Sequence, residues 1–170
     1  MSLDEELKEH AEHAREPFDK KVAASMALIA AALAIVSVLG HMATTEELRL
    51  QQKAADQWAH RQAQRGREYQ AKAAADLLAA LHAPAASYLK DRQHFADDAS
   101  ASQEKAEEFD KESDLAERHA FRLELGEVFL EVAIVLASLA ILSRRAVMWY
   151  AGIASGTAGV VIALTTLMIR

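Results

Sequence analysis

The chain has 170 residues, a formal net charge of −6 and no cysteine. The lack of cysteine excludes disulfides, thiolate catalysis and cysteine metal sites, and no segment is basic enough to predict nucleic-acid binding. Six glycines and two prolines are the only breakers in long stretches that favour helix, so the composition predicts an all-α protein.

Charged and apolar residues are segregated along the chain. Apolar residues concentrate in 22–39 and 125–169, and the charges lie almost entirely in 1–21 and 44–124. This segregation is typical of membrane proteins. We therefore expect an integral membrane protein with three transmembrane helices and a long antiparallel coiled-coil hairpin between the first and the second.

Residues 1–21 predict an acidic, solvated helix that stops before Pro17. Helical spacing places His10 and His13 beside glutamates, which makes them weak candidates for metal ligands. Two histidines whose rings lack fixed partners bind metal poorly. We therefore predict no metal site and no cofactor.

A first transmembrane helix is predicted over 22–42. Val22–Leu39 contains no charged residue, and about 20 helical residues cross a hydrocarbon core of roughly 30 Å. The segment before it is acidic and the apolar stretch is long, so we expect an uncleaved anchor rather than a signal peptide.

Residues 43–124 predict a helical hairpin outside the membrane, with its tip at 83–87 around Pro84. Folding the chain at this tip pairs Tyr69 with Ser102. A spacing of 3.5 residues, as in a coiled coil, then predicts one contact stripe on each arm. The stripe of the first arm comprises Leu48, Gln52, Ala55, Ala59, Gln62, Gly66, Tyr69, Ala73, Asp76 and Ala80. The stripe of the second arm comprises Tyr88, Arg92, Phe95, Ala99, Ser102, Ala106, Phe109, Ser113, Ala116, Ala120 and Leu123.

These stripes are lean in large apolar residues, so self-association is expected to add the missing burial. Gly66 opposite Ala106 would give this glycine a packing role. Trp58 lies beside the stripe, where it either covers the contact or binds another helix. The residues predicted to make hairpin or oligomer contacts are Asp56, Gln57, Trp58, Phe95 and Phe109.

Residues 125–142 and 146–170 predict the second and third transmembrane helices, joined by a turn at 143–145. The third contains Gly152, Gly156 and Gly159, and small residues four apart let helix backbones approach closely in lipid. The helix that packs on them lies either in the same chain or in another subunit.

Short basic flanks predict the orientation of these helices. Lys20, Lys21, Arg144 and Arg145 all fall on the same side of a three-span topology. Because such flanks face the cytoplasm, we expect a cytoplasmic N-terminus and turn, with the hairpin outside.

Two glutamates fall within the second predicted span. Glu127 and Glu131 are four residues apart and therefore share a helix face, with Glu131 near mid-membrane. A carboxylate there marks by default a pathway, a proton site or a buried pair. If the span were shifted so that both glutamates lay at the membrane surface, only residues 132–142 would remain as an uncharged span, and this stretch is too short to cross the bilayer. His41 is the nearest candidate partner for Glu127 by depth.

Three stretches resemble the DUF4337 family of bacterial membrane proteins. Ala54–Ala63 is similar to that family's A-S-D-Q-W-A-Y-Y-Q-A-K stretch, although His60 and Arg61 replace two aromatic residues. Lys105–Ser113 and Ser143–Gly152 resemble later parts of the family. The resemblance implies a bacterial inner-membrane protein without an assigned activity, and it supplies no catalytic residues. In such a membrane, the orientation predicted from the basic flanks makes the hairpin periplasmic.

The sequence predicts a homo-oligomeric membrane scaffold or interaction protein, whose partners are the lipid bilayer, copies of itself and a protein that binds the hairpin. One alternative is an ion-conducting or proton-coupled oligomer that uses Glu131 and Glu127. A second alternative is an accessory subunit of a larger membrane complex. Phosphate loops, nucleophile elbows and zinc-protease motifs are missing from the sequence, so we do not expect an enzyme.

Overall fold

The computed structural model describes residues 3–168, with side chains for 17–166 and Met168. Three α-helices fill most of this range, and the prediction of an all-helical protein is confirmed. They are α1 over Leu3–Ala80, α2 over Ala86–Ser143 and α3 over Ala146–Thr165, followed by a 3₁₀ helix over Thr166–Met168. Within the described residues, each α-helix contains a stretch long and apolar enough to cross a membrane.

Helix α1 continues through Pro17, so the prediction that a helix stops before this residue is wrong. Proline removes one backbone N–H from the helical ladder, but the residues on both sides favour helix strongly enough to continue it. The side chains of His10 and His13 lie outside the described residues.

The chain divides into two compact units. The first consists of Met1–Ala43 and Arg118–Arg170, and the second is Thr44–Glu117. All three helices contribute to the core of the first unit. Leu130 is fully buried there beside Val36, and Val160 of α3 packs against them.

Within the second unit, the part of α1 over 44–80 is called the ascending arm and the part of α2 over 86–117 the descending arm. The two arms are antiparallel, because positions of increasing number on one contact positions of decreasing number on the other. The cross-arm contacts that establish this direction are Trp58 with Asp110, His60 with Ser102, Gln64 with Asp98, and Glu68 with Arg92.

The turn between the arms covers 81–85, two residues earlier than the predicted tip at 83–87. The N–H of Ala83 donates to the carbonyl of Leu78 and that of His82 to the carbonyl of Ala79, at 2.9 and 3.1 Å. His82 adopts a left-handed conformation with φ 53°. This pair of bonds is a Schellman motif, which satisfies the last carbonyls and ends α1 before Pro84 is reached.

The predicted stripe on the ascending arm is wrong, since all ten of its residues are exposed. A neighbouring stripe with the same spacing is buried instead, at Leu50, Ala54, Gln64, Ala71 and Ala75. Alanines are so frequent on this arm that several stripes with the same spacing consist of equally small side chains. Hydropathy alone therefore could not select the stripe that contacts the other arm.

On the descending arm, the predicted stripe is right over the members from Phe95 to Ala116, which are buried or half-buried. The register between the arms is nevertheless wrong. Ser102 contacts His60, more than two helical turns before its predicted partner Tyr69, which is 68% exposed. The observed register buries small apolar residues such as Ala54 and Ala106 and also joins polar partners such as His60 and Ser102, which the apolar pattern alone could not match.

Candidate functional site

Backbones of α2 and α3 touch in the first unit, where the predicted packing glycines Gly152, Gly156 and Gly159 are buried. A Cβ on Gly159 would lie 2.7 Å from the carbonyl oxygen of Gly126, and one on Gly126 would lie 2.9 Å from that of Gly159. Carbon atoms do not approach carbonyl oxygens so closely. The structure therefore places these glycines against α2 of the same chain.

Sequence reasoning missed Gly126. The signal that was available is the series of small residues that continues from it along α2 at Ala133, Ala137 and Ala140, all of which are buried. Small residues at this spacing match the small residues of α3 and allow the two helices to lie close together.

Trp149 links α3 to α1 near the turn that joins α2 and α3. Its indole Nε1 donates to the hydroxyl of Ser25 at 3.0 Å, and that hydroxyl donates to the carbonyl of Val22. Phe18 meets the Trp149 ring edge to face, with the centroids 6.0 Å apart. The start of α3 is therefore held against residues 18–25 of α1.

The four predicted basic flanks consequently lie at one end of the first unit. Lys20 and Lys21 lie between Phe18 and Ser25, the two α1 residues that Trp149 contacts, and Arg144 and Arg145 immediately precede α3. All four side chains are exposed. This arrangement gives one end of the unit a concentration of positive charge.

The two glutamates of the second predicted span have different surroundings. Glu127 is half-buried. Its Oε2 lies 3.9 Å from the position that a Cβ on Gly40 would occupy, and Gly40 immediately precedes His41, the predicted partner. Glu131 is exposed, among the exposed side chains of Val128, Val132 and Val135. Within a single chain, therefore, Glu127 faces α1 and Glu131 faces outward from an apolar surface.

In the second unit, Trp58 contacts the other arm. Its Nε1 donates to the carboxylate of Asp110 at 3.0 Å, and the guanidinium of Arg61 lies 5.4 Å from its ring centroid. Phe109 is also at the cross-arm contact, with Lys53 Nζ 5.2 Å from the centre of its ring. Among the other predicted contact residues, Gln57 and Phe95 are half-buried and Asp56 is exposed.

A small polar layer lies between the arms, two to six residues after Trp58 on the ascending arm. His60 Nδ1 is 2.9 Å from the hydroxyl of Ser102, which is buried, and the buried amide of Gln64 donates to the carboxylate of Asp98. Buried polar groups need such partners, because an unsatisfied one costs about 1–3 kcal/mol. Within the described residues, His, Asp and Glu side chains do not form a group of three that could hold a metal.

A groove between α1 and α3 was not predicted. It has a volume of about 410 Å³ and apolar walls that include Ile35 and Leu39 of α1 and Leu164 of α3. Two polar residues also line it, His119 of α2 and Thr166 after α3. Because His119 and Thr166 are 47 positions apart in sequence, no local sequence pattern could have predicted that they line the same groove.

The architecture defines an all-helical protein with three helices that are apolar enough to span a membrane. The chain belongs to the family described as Domain of unknown function (DUF4337), whose model matches residues 18–169. No curated protein and no solved structure matches the chain.

Proposed function

We propose that this protein is a homo-oligomeric scaffold of the bacterial inner membrane. Its first unit crosses the bilayer three times, with the basic end in the cytoplasm, and its second unit forms a coiled-coil hairpin in the periplasm that binds a protein partner. The protein has no catalytic role of its own. The positive flanks support this orientation, because basic residues near span ends face the cytoplasm.

The observation that carries the proposal is the exposure of Glu131 on α2. This residue is about 18 Å along the helix from Ser143, which is well inside a hydrocarbon core of roughly 30 Å. A charged side chain facing lipid at that depth costs about 2.5 kcal/mol or more. Contact with the same face of a second copy would remove the carboxyl from lipid and provide a hydrogen-bond partner for it.

Subunit counting tests this proposal. The full chain is purified in mild detergent and its mass measured by native mass spectrometry, alongside Glu131→Val and Ser138→Val. Ser138 is a matched control, because it is exposed on the same helix but its hydroxyl already donates to the carbonyl of Ile134. We expect oligomers for the natural chain and Ser138→Val, and dissociation of Glu131→Val. A monomeric natural chain would contradict the proposal, as would an unchanged Glu131→Val oligomer.

Cation conduction is the second candidate, because a ring of copies whose Glu131 faces meet would surround its axis with carboxylates. Glu127 lies one turn away on α2 but faces α1 of its own chain, so the ring would consist of Glu131 side chains. Flux of cations through vesicles that contain the protein tests this candidate. Conduction predicts a cation flux that decreases in Glu131→Gln. If no flux is measured, or if this variant leaves the flux unchanged, conduction is ruled out and the scaffold function is retained.

A further inference from the structure

The groove between α1 and α3 continues along the first unit. A second apolar cavity of about 320 Å³ shares Ala32 and Val160 with the 410 Å³ groove and extends to Leu28 and Ile153. The two cavities together form what we call the slot. It runs along α3 from Ile153 to Thr166, which corresponds to about 20 Å at the helical rise of 1.5 Å per residue. It is therefore longer than one leaflet of a hydrocarbon core that is roughly 30 Å thick.

One end of this slot presents two buried polar atoms, and the walls of the remainder are almost entirely apolar. His119 Nε2 and Thr166 Oγ1 are both buried at that end, and neither has a hydrogen-bond partner within the described residues. A buried polar atom without a partner is costly, so these two atoms indicate that an occupant supplies one.

A positive charge lies beside the same end. Arg122, next to the groove residue Leu123, donates to the carbonyl of Thr165 at 3.3 Å and is exposed. The guanidinium is thus held beside the residue that precedes Thr166. Arginine at such a position favours a phosphate group, with which it forms strong charge-assisted bonds.

We propose that the slot binds one acyl chain of a phospholipid, with the ester or phosphate oxygens bonded by His119 and Thr166 and the phosphate charge balanced by Arg122. This inference rests on the membrane insertion in the proposed function. There, Leu123 falls about 30 Å from Ser143 along α2, so His119 and Thr166 reach the depth of the outer headgroups. An acyl chain with one polar end matches a largely apolar slot with one polar end.

Retained lipid tests the proposal. The full-length protein is reconstituted in vesicles of phosphatidylethanolamine and phosphatidylglycerol, extracted in mild detergent, washed, and measured by native mass spectrometry. We expect one phospholipid per chain to survive washing. Ala32→Phe, which fills the junction of the two cavities, should abolish this retention, whereas Ala31→Phe should keep it because Ala31 is exposed. Absence of retained phospholipid in the natural protein, or equal retention by both variants, overturns the proposal.

A second pair of variants keeps the test valid if Ala32→Phe does not fold. Thr166→Val preserves shape but removes the hydroxyl, and should lower retention about fivefold, as expected for one hydrogen bond. Thr165→Val is its control, since the Thr165 hydroxyl already donates to the carbonyl of Ile162. Equal retention by these two variants would refute the assigned role of Thr166.

Two further outcomes separate the possible failures. If Ala32→Phe lowers the subunit number while phospholipid retention stays unchanged, a second copy occupies the slot and the lipid proposal is wrong. A carbonate wash of the vesicles tests insertion itself. A chain that the wash removes contradicts the proposed membrane function, whereas a chain that stays in the vesicles but retains no phospholipid contradicts only this inference.

Discussion

In the first unit, α2 and α3 lie so close at Gly126 and Gly159 that a Cβ on either would stand within 3 Å of a carbonyl oxygen. In the second unit, the ascending and descending arms are instead connected by side chains such as Trp58 and Asp110. The backbone contact between α2 and α3 leaves no room for a side chain at Gly126 or Gly159. The contact between the arms depends on individual hydrogen bonds, each of which contributes only about 1 kcal/mol because water competes for the same groups.

Substitution of Gly159 should give the largest effect. A methyl group in Gly159→Ala would stand 2.7 Å from the Gly126 carbonyl oxygen, so α3 must move away from α2. We expect a loss of about 3 kcal/mol in the free energy of unfolding, at the upper end for overpacked sites. Thermal unfolding in mild detergent measures it. Ala154→Val, which adds bulk at an exposed position of the same helix, should have little effect; equal destabilisation by both would show that the contact is not close-packed.

The same substitution in the second unit should have the opposite sign. Gly66 is exposed, and no described atom outside its own helical turns lies within 4 Å of where its Cβ would be. The predicted packing of Gly66 against Ala106 is therefore wrong, and the glycine only weakens the helix. Gly66→Ala should raise the free energy of unfolding by about 1 kcal/mol. A lower melting temperature of this variant would indicate that the site contacts something absent from a single chain.

Removal of the Trp149 bond should give a smaller loss. Trp149→Phe keeps an aromatic ring against Phe18 but loses the donor to the Ser25 hydroxyl. In the proposed membrane-inserted state the expected decrease is about 0.6 kcal/mol, the average for hydrogen bonds between transmembrane helices. Ser25→Ala completes a double-mutant cycle on the melting temperature. Additive effects of the two substitutions would mean that the bond contributes nothing.

Trp58→Phe should change stability least, because its bond to Asp110 is exposed. We expect a loss of about 0.5 kcal/mol, since water replaces an exposed partner easily. The measurement is a double-mutant cycle with Asp110→Asn. A loss above about 2 kcal/mol would exceed what one such bond supplies, and would place Trp58 in contact with another copy.

The helices of this protein and the close-packed glycines of α3 follow from local pattern. Long apolar runs and glycines four apart are visible in any single segment, and so is the basic turn. The stripe of the ascending arm is different, because Gln64 contacts the other arm through an amide that hydropathy treats as solvated. That His119 and Thr166 line the same groove becomes visible only in the tertiary structure, and so does the outward direction of Glu131.

The short link between α2 and α3 also bears on the order in which the chain folds. Only Arg144 and Arg145 separate these helices, and Arg144 is left-handed with φ 55°, which reverses the chain at once. Closing so short a loop costs little chain entropy, whereas docking α1 on the pair must close a loop that includes all of 44–117. We therefore expect the Gly126–Gly159 contact to form early and the Trp149–Ser25 contact late, because local contacts form faster than distant ones.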